Sequence, residues 1–201
     1  MNFLAHIYLS GEDKLLKIGN FAADSIRGKE YLTYPLKIQQ GVILHREIDT
    51  YTDTHPIWRQ SKKIIVSQYN HYAAVIIDMY YDHFLAKNWN QYSQVPLEQY
   101  ADEFYQSLIE NYEILPSKIK NFLHIMVAEN WLVLYQTTEG LEYILSQMDK
   151  RSKGISKMRF ATKELIENYT DFETQFTAFF EDLKEHIIRF IKTDRFLLKS
   201  Y

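Results

Sequence analysis

Apolar residues recur three and four positions apart along almost all of this 201-residue chain, and no segment shows the two-residue alternation of a half-buried strand. Six glycines and four prolines are too few for the closely spaced turns that a β-sandwich or barrel requires. The expected fold class is therefore all-α. With no low-complexity linker and no internal repeat, residues 1–201 read as a single helical domain. Sixteen tyrosines and twelve phenylalanines point to a core filled largely by rings.

The periodicity predicts helices over 14–27, stopped near Gly28, and over 36–53, ended by the His55-Pro56 step because proline disfavours helix in the residue before it. A third starts after Pro56 and runs through Ile64, Ile65 and Val66; a fourth covers 72–88. Pro96 opens a helix to about Tyr112, and Pro116 opens one through Leu132, both prolines suiting a first helical turn. A short helix follows over 141–148, and a long one over 171–192 with Asp171 as its N-cap.

The chain has no cysteine, which excludes disulfides and thiolate ligands, so any metal must be held by imidazole and carboxylate. No leader-like apolar run and no span-length apolar stretch is present, and the expected location is cytoplasmic, without a membrane partner. A net charge of −3 gives no global reason to expect a nucleic-acid partner.

Polar residues interrupt the apolar stripes in the first 90 positions. Ile38, Val42, His45, Asp49 and Thr52 make one four-three-four-three stripe, which places an imidazole and a carboxylate one turn apart on a core-facing side. Val75, Asp78, Asp82, Leu85 and Trp89 make another, with His83 beside Asp82. Asp24 falls among Phe21, Ala22, Ala23 and Ile26, and His6 lies in an apolar N-terminal run. Isolated buried carboxylates cost several kcal/mol and are normally paired, protonated or bound to a metal. Several of them on separate helices suggest a shared cavity for a divalent cation. Salt bridges to Arg27, Arg46 or Arg59 are the structural alternative. Mixed imidazole and carboxylate ligation suits Mn²⁺, Fe²⁺, Zn²⁺ or Mg²⁺.

The motifs MNFLAHIYL, GNFAAD, GVILHREIDTYTDTHP and DMYYDHFLAKNW, followed by ENWLVLY at 129–135, resemble those of the acyl carrier protein phosphodiesterase family. The resemblance is dense over the first 90 residues and sparse beyond them. It implies an all-helical fold similar to the HD-type phosphohydrolase bundles, and hydrolysis of the phosphodiester that joins 4′-phosphopantetheine to a serine of holo-acyl carrier protein. It also implies dependence on a divalent cation, Mn²⁺ favoured, with the carrier protein as partner. The family's N-F-L-A-H motif falls on Asn2 to His6, its GN-x-x-AD aspartate on Asp24, H-R-x-I-D on His45, Arg46 and Asp49, and D-H-F-L on Asp82 to Leu85. HD enzymes proper carry an adjacent His-Asp pair. This chain has His45-x-x-x-Asp49 and a reversed Asp82-His83, so no HD ligand geometry is carried over.

The expected ligands are Asp24, His45, Asp49 and Asp82, with His6 as a further ligand and His83 as a proton-transfer group; Asp24 is also a catalytic candidate, and Arg46 a candidate phosphate clamp. Carrier proteins are acidic, and two acid-free stretches offer positive charge: 54–77 with Arg59, Lys62 and Lys63, and 150–159 with five basic residues. Two other readings use the same residues. One keeps the metal and takes a nucleotide or other small phosphoester; the other is a non-enzymatic helical binding module whose acids are structural ion pairs.

Overall fold

The computed structural model describes residues 1–197 as a succession of α-helices and short 3-10 turns, with no strand among the described residues. In chain order the helices are α1 (Phe3–Tyr8), α2 (Lys14–Ala22), α3 (Leu36–Thr54), α4 (Pro56–Tyr69), α5 (Ala73–Lys87), α6 (Leu97–Glu110), α7 (Ser117–Ala128), α8 (Trp131–Leu134), α9 (Thr138–Arg151), α10 (Ala161–Glu167), α11 (Tyr169–Phe190) and α12 (Asp194–Leu197). The all-α expectation holds. No described helix is long and apolar enough to cross a membrane.

Helix boundaries moved where a local conformation intervened. The first expected helix stops at Ala22 and tightens into a 3-10 turn over Ala23–Ser25, after which Ile26 is extended. The helix expected to run from Pro116 through Leu132 is broken at Asn130, whose left-handed φ of 47° ends α7 and starts α8 in a new direction. Tyr105 fixes that break: its hydroxyl donates to Asn130 Oδ1 (3.1 Å) and accepts from the Leu132 amide (2.9 Å). Helix α9 is longer than expected because Thr137 caps it by accepting from the Gly140 amide. Asp171 lies inside the first turn of α11, not at its N-cap, where its charge still favours the positive helix end. Helices α1 and α10 escaped the periodicity because six or seven residues hold fewer than two full turns.

The core is aromatic, as the composition implied. Helix α11 carries Phe172, Phe176, Phe179, Phe180, Leu183 and Ile187 on one buried stripe. Phe176 lies 5.6 Å from Tyr81 and 5.2 Å from Phe180, and Phe179 lies 5.3 Å from Tyr81, ring centroid to ring centroid. This stripe backs α4 and α5 from behind.

Helices α2 and α3 meet backbone to backbone, through glycine on both sides. A Cβ on Gly19 would stand 2.7 Å from Ile38 Cα, and one on Gly41 would stand 2.6 Å from the Asn20 nitrogen. Neither partner is a flexible side chain that could move aside. Gly41→Ala should therefore lower stability by about 1–3 kcal/mol in urea unfolding, the range for overpacking a well-filled interface. A change below about 0.5 kcal/mol would mean the helices do not approach this closely.

Candidate metal centre

Two imidazoles and a carboxylate meet at the floor of a cavity of about 240 Å³. His6 comes from α1, and His45 and Asp49 from α3, one turn apart as the stripe required. One candidate ligand atom from each of the three lies within 4.8 Å of the other two. The rings of His6 and His45 are stacked, with centroids 4.1 Å apart. Asp49 bridges them, one oxygen 3.3 Å from His6 Nε2 and the other 3.0 Å from His45 Nε2. Asp24 approaches from the cavity mouth, 3.3 Å from His45 Nε2.

Helix α1 is short and is held from outside. The Asn2 side chain accepts from the Phe3 amide, while the Asn2 and Leu4 amides donate to the two oxygens of Asp82 at 3.1 and 2.7 Å. Those are amides that a helix start leaves without intrahelical partners. The His6 ring is then fixed by Asn20 on α2. His6 Nδ1 lies 2.8 Å from Asn20 Oδ1, and Asn20 Nδ2 donates to the His6 carbonyl and to Ser10 Oγ, both at 2.9 Å. An amide oxygen can only accept, so Nδ1 carries the hydrogen and Nε2 turns its lone pair toward Asp49 and His45.

Burial, helped by the charge of His45, pulls the His6 pKa down to about 4, so this ring is neutral at neutral pH. Burial acts against a proton on His45 as well, but Asp24 and Asp49 outweigh it and raise that pKa to about 9. Burial would push Asp49 up, yet the hydrogen bond from His45 holds it far below the usual carboxylate range. The hydrogen bond from His45 likewise lowers Asp24. Two carboxylates thus face a single proton, on a ring whose buried Nδ1 has no partner among the described residues. A divalent cation fits this donor set: two Nε2 lone pairs and carboxylate oxygens converge, and the surplus negative charge favours it over one proton.

The structure brings together only part of the expected site. Asp82 is fully buried and stands apart from the cluster, both oxygens engaged by the amides that start α1. Burial raises its pKa to about 7 in spite of those donors. His83 points the other way, its ring nitrogens against the Tyr135 carbonyl (2.7 Å) and the Tyr169 hydroxyl (2.8 Å). Arg46 donates to the Gly28 carbonyl at 2.7 Å and lies over the Tyr31 ring, pinning the loop after α2 instead of facing the cavity. Asp24 is not on a buried face: it sits on the 3-10 turn with 70% of its side chain exposed. The arginine pairing weighed as an alternative also fails for Asp49, whose partners are the two imidazoles. Asn20 is a site residue outside the expected set; its signal in the sequence is an amide within an otherwise apolar turn, Ile18 to Ala22.

Two measurements separate these roles. Asp49→Asn should remove Mn²⁺ binding, whereas Asp82→Ala should keep the ion and lose about 2 kcal/mol or more, because two amides at the start of α1 lose their acceptor. Ion entry must also expel the His45 proton, while His6 has none to lose. Mn²⁺ affinity should therefore rise with pH between 6 and 8, by up to about tenfold per unit, and level off above the His45 pKa of about 9. A pH-independent affinity in calorimetry would contradict the proton assignment.

The sequence profile of the family described as acyl carrier protein phosphodiesterase matches residues 1–183. Among curated proteins, the chain is 28% identical over 186 residues to the acyl carrier protein phosphodiesterase of Photorhabdus laumondii, an alignment covering 92% of this chain and 94% of that one. It is 26% identical over 181 residues to the protein so named in Yersinia enterocolitica, covering 90% and 94%. With the one from Escherichia coli O6:H1 it shares 28% over 192 residues, covering 94% and 98%. No solved structure matches. The profile spans α1 through most of α11 and takes in every residue of the cluster, so the chain belongs to the acyl carrier protein phosphodiesterase family.

Proposed function

We propose that this protein hydrolyses the phosphodiester between 4′-phosphopantetheine and a serine of holo-acyl carrier protein, releasing apo-carrier protein and 4′-phosphopantetheine, in the cytoplasm. The observation that carries this reading is the His6–His45–Asp49 convergence on a cavity floor in a chain of this family. His6, His45 and Asp49 hold a divalent cation, Mn²⁺ by family resemblance, with Asp24 as a further ligand or neighbour. Bound there, the ion supplies charge neutralisation of the diester and activation of water for attack on phosphorus.

The protein's own groups do the rest. Asn20 keeps His6 in one tautomer and one orientation, so Nε2 is ready before the ion arrives. Asp24, exposed at the mouth and ionised, is placed to accept the proton that the attacking water gives up. Phe3, Phe21 and Val75 wall the cavity and limit the water around the reacting atoms.

The partner is acidic, and the basic face lies beside the cavity. Arg59, Lys62 and Lys63 line an open hollow that shares Asp53 with the cluster cavity. The Lys62 ammonium lies over the Trp58 ring, 4.7 Å from its centroid, which holds that charge at the hollow. Such charges raise encounter rate more than they tighten the complex, and salt screens them beyond about 8 Å.

The test is incubation with holo-carrier protein and Mn²⁺, followed by mass spectrometry of the carrier. The carrier should lose one phosphopantetheine, and the product should be absent with EDTA or with Asp49→Asn. An intact carrier at full metal loading would end this reading. Lys62→Glu with Lys63→Glu should lower kcat/KM on the carrier about tenfold at low salt and flatten its salt dependence. An unchanged kcat/KM would move the docking face elsewhere.

A further inference from the structure

A second cavity, also about 240 Å³, adjoins the cluster cavity and shares Asn2, Phe3, Asp24 and Val75 with it. Its far wall comes from two elements that the metal chemistry leaves unused. One is the ENWLVLY segment, where the left-handed Asn130 turns the chain so that Trp131 lines the cavity. The Trp131 ring is held there, its indole N–H donating to Glu129 at 2.9 Å. The other is a single face of α9, where Ile144, Gln147, Met148 and Arg151 follow at three, four and seven residues and all border the space.

This lining is more apolar than the neighbour's, with Asp24 and Glu129 as its acids. The cluster cavity is floored by acids and imidazoles, while the second is walled by Trp131, Tyr135, Met79, Ile144 and Met148, with Gln147 and Arg151 as donors. A phosphodiester leaves its phosphorus in two directions. Here the cluster cavity adjoins a basic hollow through Asp53 and a largely apolar cavity through Asp24 and Val75. A protein surface matches the first. A slender chain of methyl and methylene groups broken by amide carbonyls matches the second.

We propose that the Trp131 cavity binds the pantetheine arm, so that the diester lies across the cluster in one orientation, carrier protein toward α4 and arm toward α8 and α9. This rests on the reading of the substrate given above. The apolar walls take the arm's methyl and methylene groups, and Gln147 and Arg151 donate to its amide carbonyls.

The probe is pantetheine itself, without phosphate, titrated into the Mn²⁺-loaded full-length protein. Trp58 and Trp89 are buried to 1% and 2% exposure, so Trp131 is the indole open to a ligand. Pantetheine should shift the emission saturably in the wild type and not in Trp131→Phe, and inorganic phosphate should not reproduce the shift. Separately, Ile144→Asp should lower kcat/KM for holo-carrier protein relative to bis(p-nitrophenyl) phosphate by about tenfold, the scale of one lost apolar contact in a specificity pocket. No emission change at millimolar pantetheine, or a ratio of the two activities that stays constant, overturns the assignment. Failure of the wild type to cleave holo-carrier protein would instead strike the substrate reading, and the pantetheine titration would still judge the cavity.

Discussion

The contact on which the site depends is the glycine-to-glycine approach of α2 and α3. With Gly19 and Gly41 facing the opposite backbones, the two helices come closer than any pair bearing side chains at those positions could. That closeness brings Asn20 of α2 beneath His6 while His45 of α3 stacks on the same imidazole from beside it. One added methyl on either glycine would push apart the elements that supply the histidines and their orienting amide. The motifs GNFAAD and GVILHREID thus read as a packing requirement first and as chemistry second.

Electrostatics then sets what the cluster can hold. His6 is too buried, and too close to His45, to keep a proton, whereas His45 keeps one because Asp24 and Asp49 both face it. The site gathers negative charge without full burial, since Asp49 and Asp24 both reach solvent through the cavity. Such carboxylates carry less of the desolvation penalty than a fully buried acid and remain available to a ligand. Asp82 is the contrast. It is the one fully buried acid of the expected ligands, and its oxygens close the start of a helix instead.

That contrast marks how far the sequence could be read. Helix class and most helix positions follow from periodicity, because a stripe of Phe172, Phe176 and Phe179 has few alternatives. His45 and Asp49 were legible for the same reason: four-residue spacing on one helix fixes their proximity wherever the helix packs. Asp82, His83 and Arg46 were not, because adjacency on a helix says nothing about which neighbour each side meets. Successive residues 82 and 83 point some 100° apart, one toward α1 and one toward Tyr169. The exposure of Asp24 does not follow from its apolar neighbours, because α2 ends at Ala22 and the stripe does not continue through it. Asn130 and Trp131 required a left-handed residue within an apolar run, which periodicity cannot register.

The central claim is that His6 and His45, from two separate elements, share one divalent cation. Pulsed electron paramagnetic resonance of the Mn²⁺-loaded protein tests it most directly, because imidazole nitrogen bound to the ion leaves a distinct coupling. Two such couplings should appear in the wild type, one should vanish in His6→Gln, and Asp82→Asn should retain both. A spectrum without nitrogen coupling, or one that His6→Gln leaves unchanged while Asp82→Asn alters it, would contradict the account.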